Sequence, residues 1–213
     1  MPSGKKHGKT GVTERQEKPK LAVKQKKTDQ VHLAFGIRTC NLYHEDSPAL
    51  RVLSSILGGG MSSRLFQKMR EELGICYYIG ASHESFTDHG FLEITAGVPA
   101  ARLPEAVSAI AGEVRRLKSD AVHAEELLRI KEYLAGSLYL SLESSDALAE
   151  FYGFQEIMRK PLLRPEETIQ KIRAVTAANI SRVACAYLSD AHLNLALIGP
   201  VEDKKELEQI LHL

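Results

Sequence analysis

The sequence predicts an α+β domain in which a mostly antiparallel, mixed sheet carries its helices on one face. Three observations carry that expectation. Apolar residues alternate at period two near Val31, in a central hairpin and again near Leu193. Between the hairpin and the last alternating run lies a long block with apolar residues at helical spacing. The chain shows no internal repeat, so the order is a few strands, a block of helices and a returning strand.

Taken in order, Val31, Leu33, Phe35 and Ile37 mark one face of the first strand. Asp46 or Ser47, followed by Pro48, reads as an N-cap and first-turn proline. Leu50, Leu53, Ile56 and Leu57 then recur as in a helix, which Gly58-Gly59-Gly60 stops. Ser62 or Ser63 caps a second helix through Phe66 and Met69 to Leu73, and Gly74 is placed to end it in a left-handed turn. Ile75, Tyr77, Ile79 and Ala81 share a face of the next strand, and Leu92, Ile94, Ala96 and Val98 share a face of the one after it. The polar run His83–His89, closed by Gly90, joins them as a hairpin. Helical stripes follow at Ala106, Ile110, Val114 and Leu117, then at Leu127, Ile130, Leu134 and Leu138. Ser144 or Ser145 caps a helix bearing Leu148, Phe151, Tyr152 and Ile157; Pro165 opens another, and Thr176 caps one that ends near Leu188. Leu193, Leu195 and Leu197 form the last strand, before a short charged helix.

Composition bounds the function. With 213 residues, 44% hydrophobic and 26% charged, the chain is ordinary globular material, large enough for a real core. No apolar run approaches the roughly 20 residues that span a bilayer, and the basic N-terminus lacks an apolar signal core. Cys40, Cys76 and Cys185 sit in apolar segments without paired spacing, which reads as buried reduced thiols and a cytoplasmic setting. Residues 1–27 hold nine Lys or Arg against Glu14 and Glu17, a charge of +7, whereas the remainder carries −6. Residues 1–29 therefore read as a basic linker or loosely ordered arm and 30–213 as the folded domain. An acidic body without an RNA-binding signature argues against a nucleic-acid face.

The segment Gly58-Gly59-Gly60-Met61-Ser62-Ser63 is the most distinctive. It completes neither a dinucleotide fingerprint nor a P-loop, and a helix precedes it where both need a strand. Three successive glycines imply either a hinge or a close backbone approach. Arg70 falls in the last turn of a helix, where a cation meets the negative end of the dipole. Tyr77 follows on the next strand. Spacing alone fits helix capping plus a core-edge aromatic; the functional reading is a guanidinium and a phenol held together to donate to a carbonyl or developing oxyanion. Neither His-Glu-x-x-His nor its inverse occurs, and Gly-x-Ser-x-Gly is absent. His83, Glu84, Asp88 and His89 cluster metal-competent side chains at the hairpin, where polar residues also collect for solubility.

From Leu57 to Tyr78 the chain resembles the C-terminal, non-zinc-binding half of the pitrilysin and mitochondrial processing-peptidase family of inverzincins. Gly-Gly-Gly-Met-Ser-Ser-Arg-Leu-Phe, the following Arg-Glu-x-x-Gly-x-x-Tyr and the late Leu-Ile-Gly-Pro carry the likeness, which runs in order from about Val31 to Pro200. The resemblance implies a LuxS/processing-peptidase-like half that closes with a second half around an extended peptide. It implies that Arg70 and Tyr77 hold the scissile carbonyl and stabilise the transition state of a zinc-dependent metalloendopeptidase. It further implies that Gly58 to Ser63 form the closing segment. Zinc and the general-base glutamate then belong to an N-terminal half or a homologous partner subunit, as a fragment join or a dimer, and this chain alone is inactive. The alternative is a catalytically inactive structural or peptide-binding member of the same family.

Overall fold

The computed structural model describes residues 11, 12, 15–158, 160–201 and 203–213. Five strands form one sheet: β1 Lys20–Gln25, β2 Val31–Thr39, β3 Tyr78–Ser85, β4 Gly90–Val98 and β5 Leu193–Gly199, in the order β1-β5-β2-β4-β3. The pairs β5–β2, β2–β4 and β4–β3 are antiparallel, and β1–β5 is parallel. The sheet is therefore mixed and mostly antiparallel, as the alternation predicts.

Period-two patterning decides which face is covered. Val31, Leu33, Phe35 and Ile37 of β2, Leu92, Ile94, Ala96 and Val98 of β4, and Leu193, Leu195 and Leu197 of β5 are all buried on one side. Against them pack α1 Ser47–Gly58, α3 Leu103–Ser119 and α7 Ala177–Tyr187, with α4 Ala124–Ser141, α6 Pro165–Arg173 and α8 Lys204–Ile210 around them. The stripes Ala106, Ile110, Val114, Leu117 and Leu127, Ile130, Leu134, Leu138 are buried as their spacing requires. Truncating one of these leucines to alanine costs about 2–5 kcal/mol, since a close-packed core relaxes only partly.

The caps follow local chemistry. Thr176 accepts from the Asn179 N–H at 3.1 Å, while the Asn179 side chain accepts from the Thr176 N–H at 2.9 Å. Ser144 accepts from the Ala147 N–H, starting α5 Ser145–Ile157. Gly74 takes φ +60°, the left-handed turn assigned to it.

Four expectations need correction. The arm expected over 1–29 includes a strand: Leu21 and Val23 alternate toward the core, and β1 pairs along β5. The Gln25 side-chain amide donates to the Val201 carbonyl, and that of Gln16 to Leu193 at 2.7 Å, so two long-range bonds tie this stretch down. The part of the arm at 1–10, 13 and 14 lies outside the described residues. In α5 the expected apolar stripe is largely exposed, Ile157 being 78% accessible, and the buried residue is Gln155, which satisfies Leu163 and Phe151. The second helix is a single α-turn, α2 Arg64–Phe66, that widens into a π-helical turn over Gln67–Glu72. Asp46 precedes α1 without capping it. Its buried carboxylate instead accepts from the Arg182 guanidinium and, at 3.0 Å, from the Tyr187 hydroxyl, tying α7 to the start of α1. The Arg182 bond holds that carboxyl below the usual carboxylate range.

Candidate active-site face

Of the two glycine roles left open by the sequence, Gly58 takes the close approach. Gly58 ends α1 where the helix lies directly on β3: a Cβ there would sit 2.3 Å from the Ala81 nitrogen and 2.7 Å from its Cβ. This is a close backbone approach that only glycine allows. Gly60 and Met61 form the exposed tip, Met61 being 75% accessible. Ser63 is buried, and its hydroxyl and N–H both donate to the Gly60 carbonyl, at 2.5 and 3.0 Å. Gln67 closes the turn from below through the Met61 carbonyl at 2.7 Å.

Arg64 fixes this segment to α4. Its guanidinium donates twice to Glu126, at 2.8 and 2.7 Å, with both side chains largely covered. The pair raises the arginine and lowers the glutamate, each chiefly through the hydrogen bond to the other. Beside it, a groove of about 420 Å³ runs between Gly58–Gly59, the Gly80–Ser82 stretch of β3 and Tyr133 of α4.

Arg70 and Tyr77 come together. The π-helical turn carries Arg70, Gly74 reverses the chain, and the Arg70 guanidinium donates to the Tyr77 carbonyl. The guanidinium carbon also lies 5.7 Å from the centre of the Phe66 ring, four residues earlier, a cation–π contact legible from that spacing. The Tyr77 N–H donates to the Gly97 carbonyl at 2.9 Å, anchoring its backbone to β4. Its side chain is 61% exposed, so it is a surface aromatic, in contrast to the core-edge position its strand spacing predicts. Both side chains are exposed, and the bond that joins the two residues runs from the guanidinium to the Tyr77 main chain.

The hairpin cluster disperses. His83 faces the helices, is bonded to Thr39 at 3.0 Å and is pushed down to about 4 by burial, with nearby Arg51 adding to the shift. Glu84, next along β3, takes the opposite face, while His89 bonds Asp88 at 2.8 Å at the tip. Among the described residues no group of three or more His, Cys, Asp or Glu is placed to hold a metal ion. The donor set here does not fit zinc. Sequence reasoning missed the Arg64–Glu126 pair and the Phe66 contact; the first has no local signal, its partners being 62 positions apart. No helix among the described residues is long and apolar enough to cross a membrane.

Comparison with known proteins adds to this geometry. The family model described as the peptidase M16 inactive domain matches residues 2–134. An uncharacterized zinc protease, YmxG of Bacillus subtilis, is 34% identical over 191 residues, covering 90% of this chain and 46% of its own length. An uncharacterized zinc protease of Mycobacterium leprae is 30% identical over 195 residues, covering 92% and 44%. The crystal structure of a protease from Helicobacter pylori superposes with a TM-score of 0.80 at 22% identity, over 92% of this chain and 48% of that one. This chain thus spans about half the length of the relatives it matches.

Proposed function

Because the chain belongs to the peptidase M16 inactive-domain family, the C-terminal half of pitrilysin-type peptidases, we propose that it completes a zinc-dependent metalloendopeptidase by supplying Arg70 and Tyr77. In this reading the zinc and the general base come from a companion half or a homologous subunit, and the metal activates the attacking water there. The present residues hold the peptide. The observation that supports the reading is the bond from Arg70 to the Tyr77 carbonyl across the Gly74 turn, which ties the guanidinium to the main chain of a residue whose side chain is exposed.

A guanidinium has five N–H donors, so one bond to a backbone carbonyl leaves others for substrate. Arg70 and the Tyr77 hydroxyl donate to the scissile carbonyl region, and both bonds shorten as its oxygen gains charge; that differential gain lowers the barrier. The segment Gly58 to Ser63, seated on β3 and on α4 through Arg64, borders the groove that the peptide enters. The substrate is an extended peptide, and a cytoplasmic location accords with three free cysteines, although Cys40 and Cys76 are only half-buried and Cys185 is exposed, in contrast to the buried thiols their apolar segments predict.

The test is turnover of a quenched fluorescent peptide by this chain reconstituted with a zinc-bearing half. Arg70→Ala and Tyr77→Phe each lower kcat by about 10²–10³, with the fold intact by circular dichroism, because each removes a donor to the developing charge. Turnover within twofold of the parent for both variants sinks the proposal.

A further inference from the structure

The segment after the glycine turn carries two arginines, and the structure gives them different partners. Arg64 commits its guanidinium to Glu126, through two bonds of 2.8 and 2.7 Å between largely covered side chains. Arg70, further along the same segment, makes no ion pair among the described residues. An acid stands close by in sequence at Glu72, yet Lys68 takes it at 2.7 Å. What holds Arg70 is the face of the Phe66 ring, 5.7 Å from the guanidinium carbon, together with the Tyr77 carbonyl.

The two kinds of partner have different chemical consequences. A carboxylate neutralises a guanidinium and takes two of its donors, which makes Arg64 a strut. A ring face attracts the cation through its quadrupole and leaves the charge uncancelled. Of the five guanidinium N–H donors, one goes from Arg70 to the Tyr77 carbonyl and the others stay open. Held at two points, Arg70 also loses rotamer freedom that a long exposed side chain otherwise keeps.

The sequence builds this support locally. Leu65 and Met69 are buried, so Phe66 and Arg70, each one position later, share the next face of the helix. Arg70 stands on the π-helical turn Gln67–Glu72, a rare geometry that occurs frequently at functional sites. Gly74, at φ +60°, then returns the chain so that the Tyr77 carbonyl meets the guanidinium. Packing accounts for a half-buried ring. It does not account for an exposed cation over that ring while the acid two positions on is tied to Lys68.

We propose that Phe66 is a positioning residue, whose ring face holds the Arg70 guanidinium in place while leaving its charge and open donors to the substrate. The inference rests on the role proposed above for Arg70; the ring contact rests on the structure alone.

Two measurements test it. The first uses the full 213-residue chain by itself, read by nuclear magnetic resonance. The ring shifts the Arg70 Hδ protons upfield, and the Nε–H group shows the heteronuclear NOE of an ordered side chain; Phe66→Leu removes both signatures and Phe66→Tyr keeps them. The second uses the chain reconstituted with a zinc-bearing half. Phe66→Leu lowers kcat about two- to fivefold with KM unchanged, as expected for losing an exposed cation–π contact, and Phe66→Tyr restores it. In an Arg70→Ala background Phe66→Leu has no further effect on kcat. Circular dichroism checks that each variant is folded. An equal loss in both backgrounds, or a Phe66→Tyr enzyme as slow as Phe66→Leu, makes the ring a packing residue and overturns the inference, as do Arg70 resonances that ignore Phe66→Leu. Turnover that falls with Arg70→Ala but not with Phe66→Leu removes this inference and leaves the role of Arg70 standing, whereas turnover that ignores Arg70→Ala removes both.

Discussion

Gly58→Ala separates a hinge from a seat. In a hinge, alanine is tolerated and even stabilising: helix propensity alone favours it by up to about 1 kcal/mol. In the structure the added methyl meets the Ala81 nitrogen at 2.3 Å and the Gly80 carbonyl carbon at 2.7 Å, both backbone atoms of a paired strand. Ordinary carbon contacts begin near 3.5 Å, so the end of α1 must lift by about 1 Å or β3 must bend. Overpacking of this size costs about 1–3 kcal/mol, and the rigid partner puts it at the upper end. After the propensity gain, a net loss of about 1–2 kcal/mol remains, or about 2–8 °C in Tm for a chain of this length. Urea unfolding followed by far-ultraviolet circular dichroism measures it, with the m-value unchanged. Gly60→Ala is the control, since its methyl meets only the Tyr133 ring, at 3.7 Å, and falls within about 0.5 kcal/mol of the parent. A Gly58→Ala protein as stable as the parent would refute the close-approach reasoning.

Two further predictions concern charge. A double-mutant cycle of Arg64→Met and Glu126→Gln yields a coupling of about 1–3 kcal/mol, above that of exposed pairs, because both partners are largely covered. The glutamate's folded pKa is lowered from 4.5, so this stabilisation is present above that value and fades as pH falls through the lowered one, seen as a steeper acid limb in the parent than in the cycle's double variant. His83 works from the other direction: its folded value of about 4 lies below the 6.5 of the unfolded chain. The unfolded chain then binds the extra proton between those values, and stability drops by about 3 kcal/mol as pH falls from 6.5 to 4. His83→Gln flattens that window in pH-dependent denaturation, and an unchanged slope counts against the burial argument.

Features set by neighbours in sequence were legible. Thr176, Ser144, Pro165 and Gly74 each announce their element because a cap or left-handed turn is a local hydrogen-bonding problem. Alternation gave the inner face of β2, β4 and β5, since period two admits one assignment of sides. What escaped depends on distant partners. Leu21 and Val23 alone are too few to outweigh the surrounding lysines, and β1 exists because β5 lies beside it. The Ser145–Ile157 helix has apolar residues enough for a core face, but the sheet is already covered by α1, α3 and α7, leaving Ile157 outside. Of the candidate site, Arg70 and Tyr77 were legible as residues. Their mutual bond was not, because it depends on a π-helical turn that no periodicity signals.

The position of β5 bears on how the chain reaches this state. It is inserted between β1 and β2, with Lys20 registered to Asn194 and His32 to Ile198. A nascent chain emerging in order exposes β1 long before its neighbour exists, so β1 waits as an unpaired strand until everything between it and β5 is made. Closing loops this long carries a large entropic cost with little early reward, which places sheet completion late and makes it slow relative to the β3–β4 hairpin. The lysines along β1 then serve during synthesis: they keep a waiting strand soluble and out of reach of other nascent chains until β5 arrives to occupy the gap.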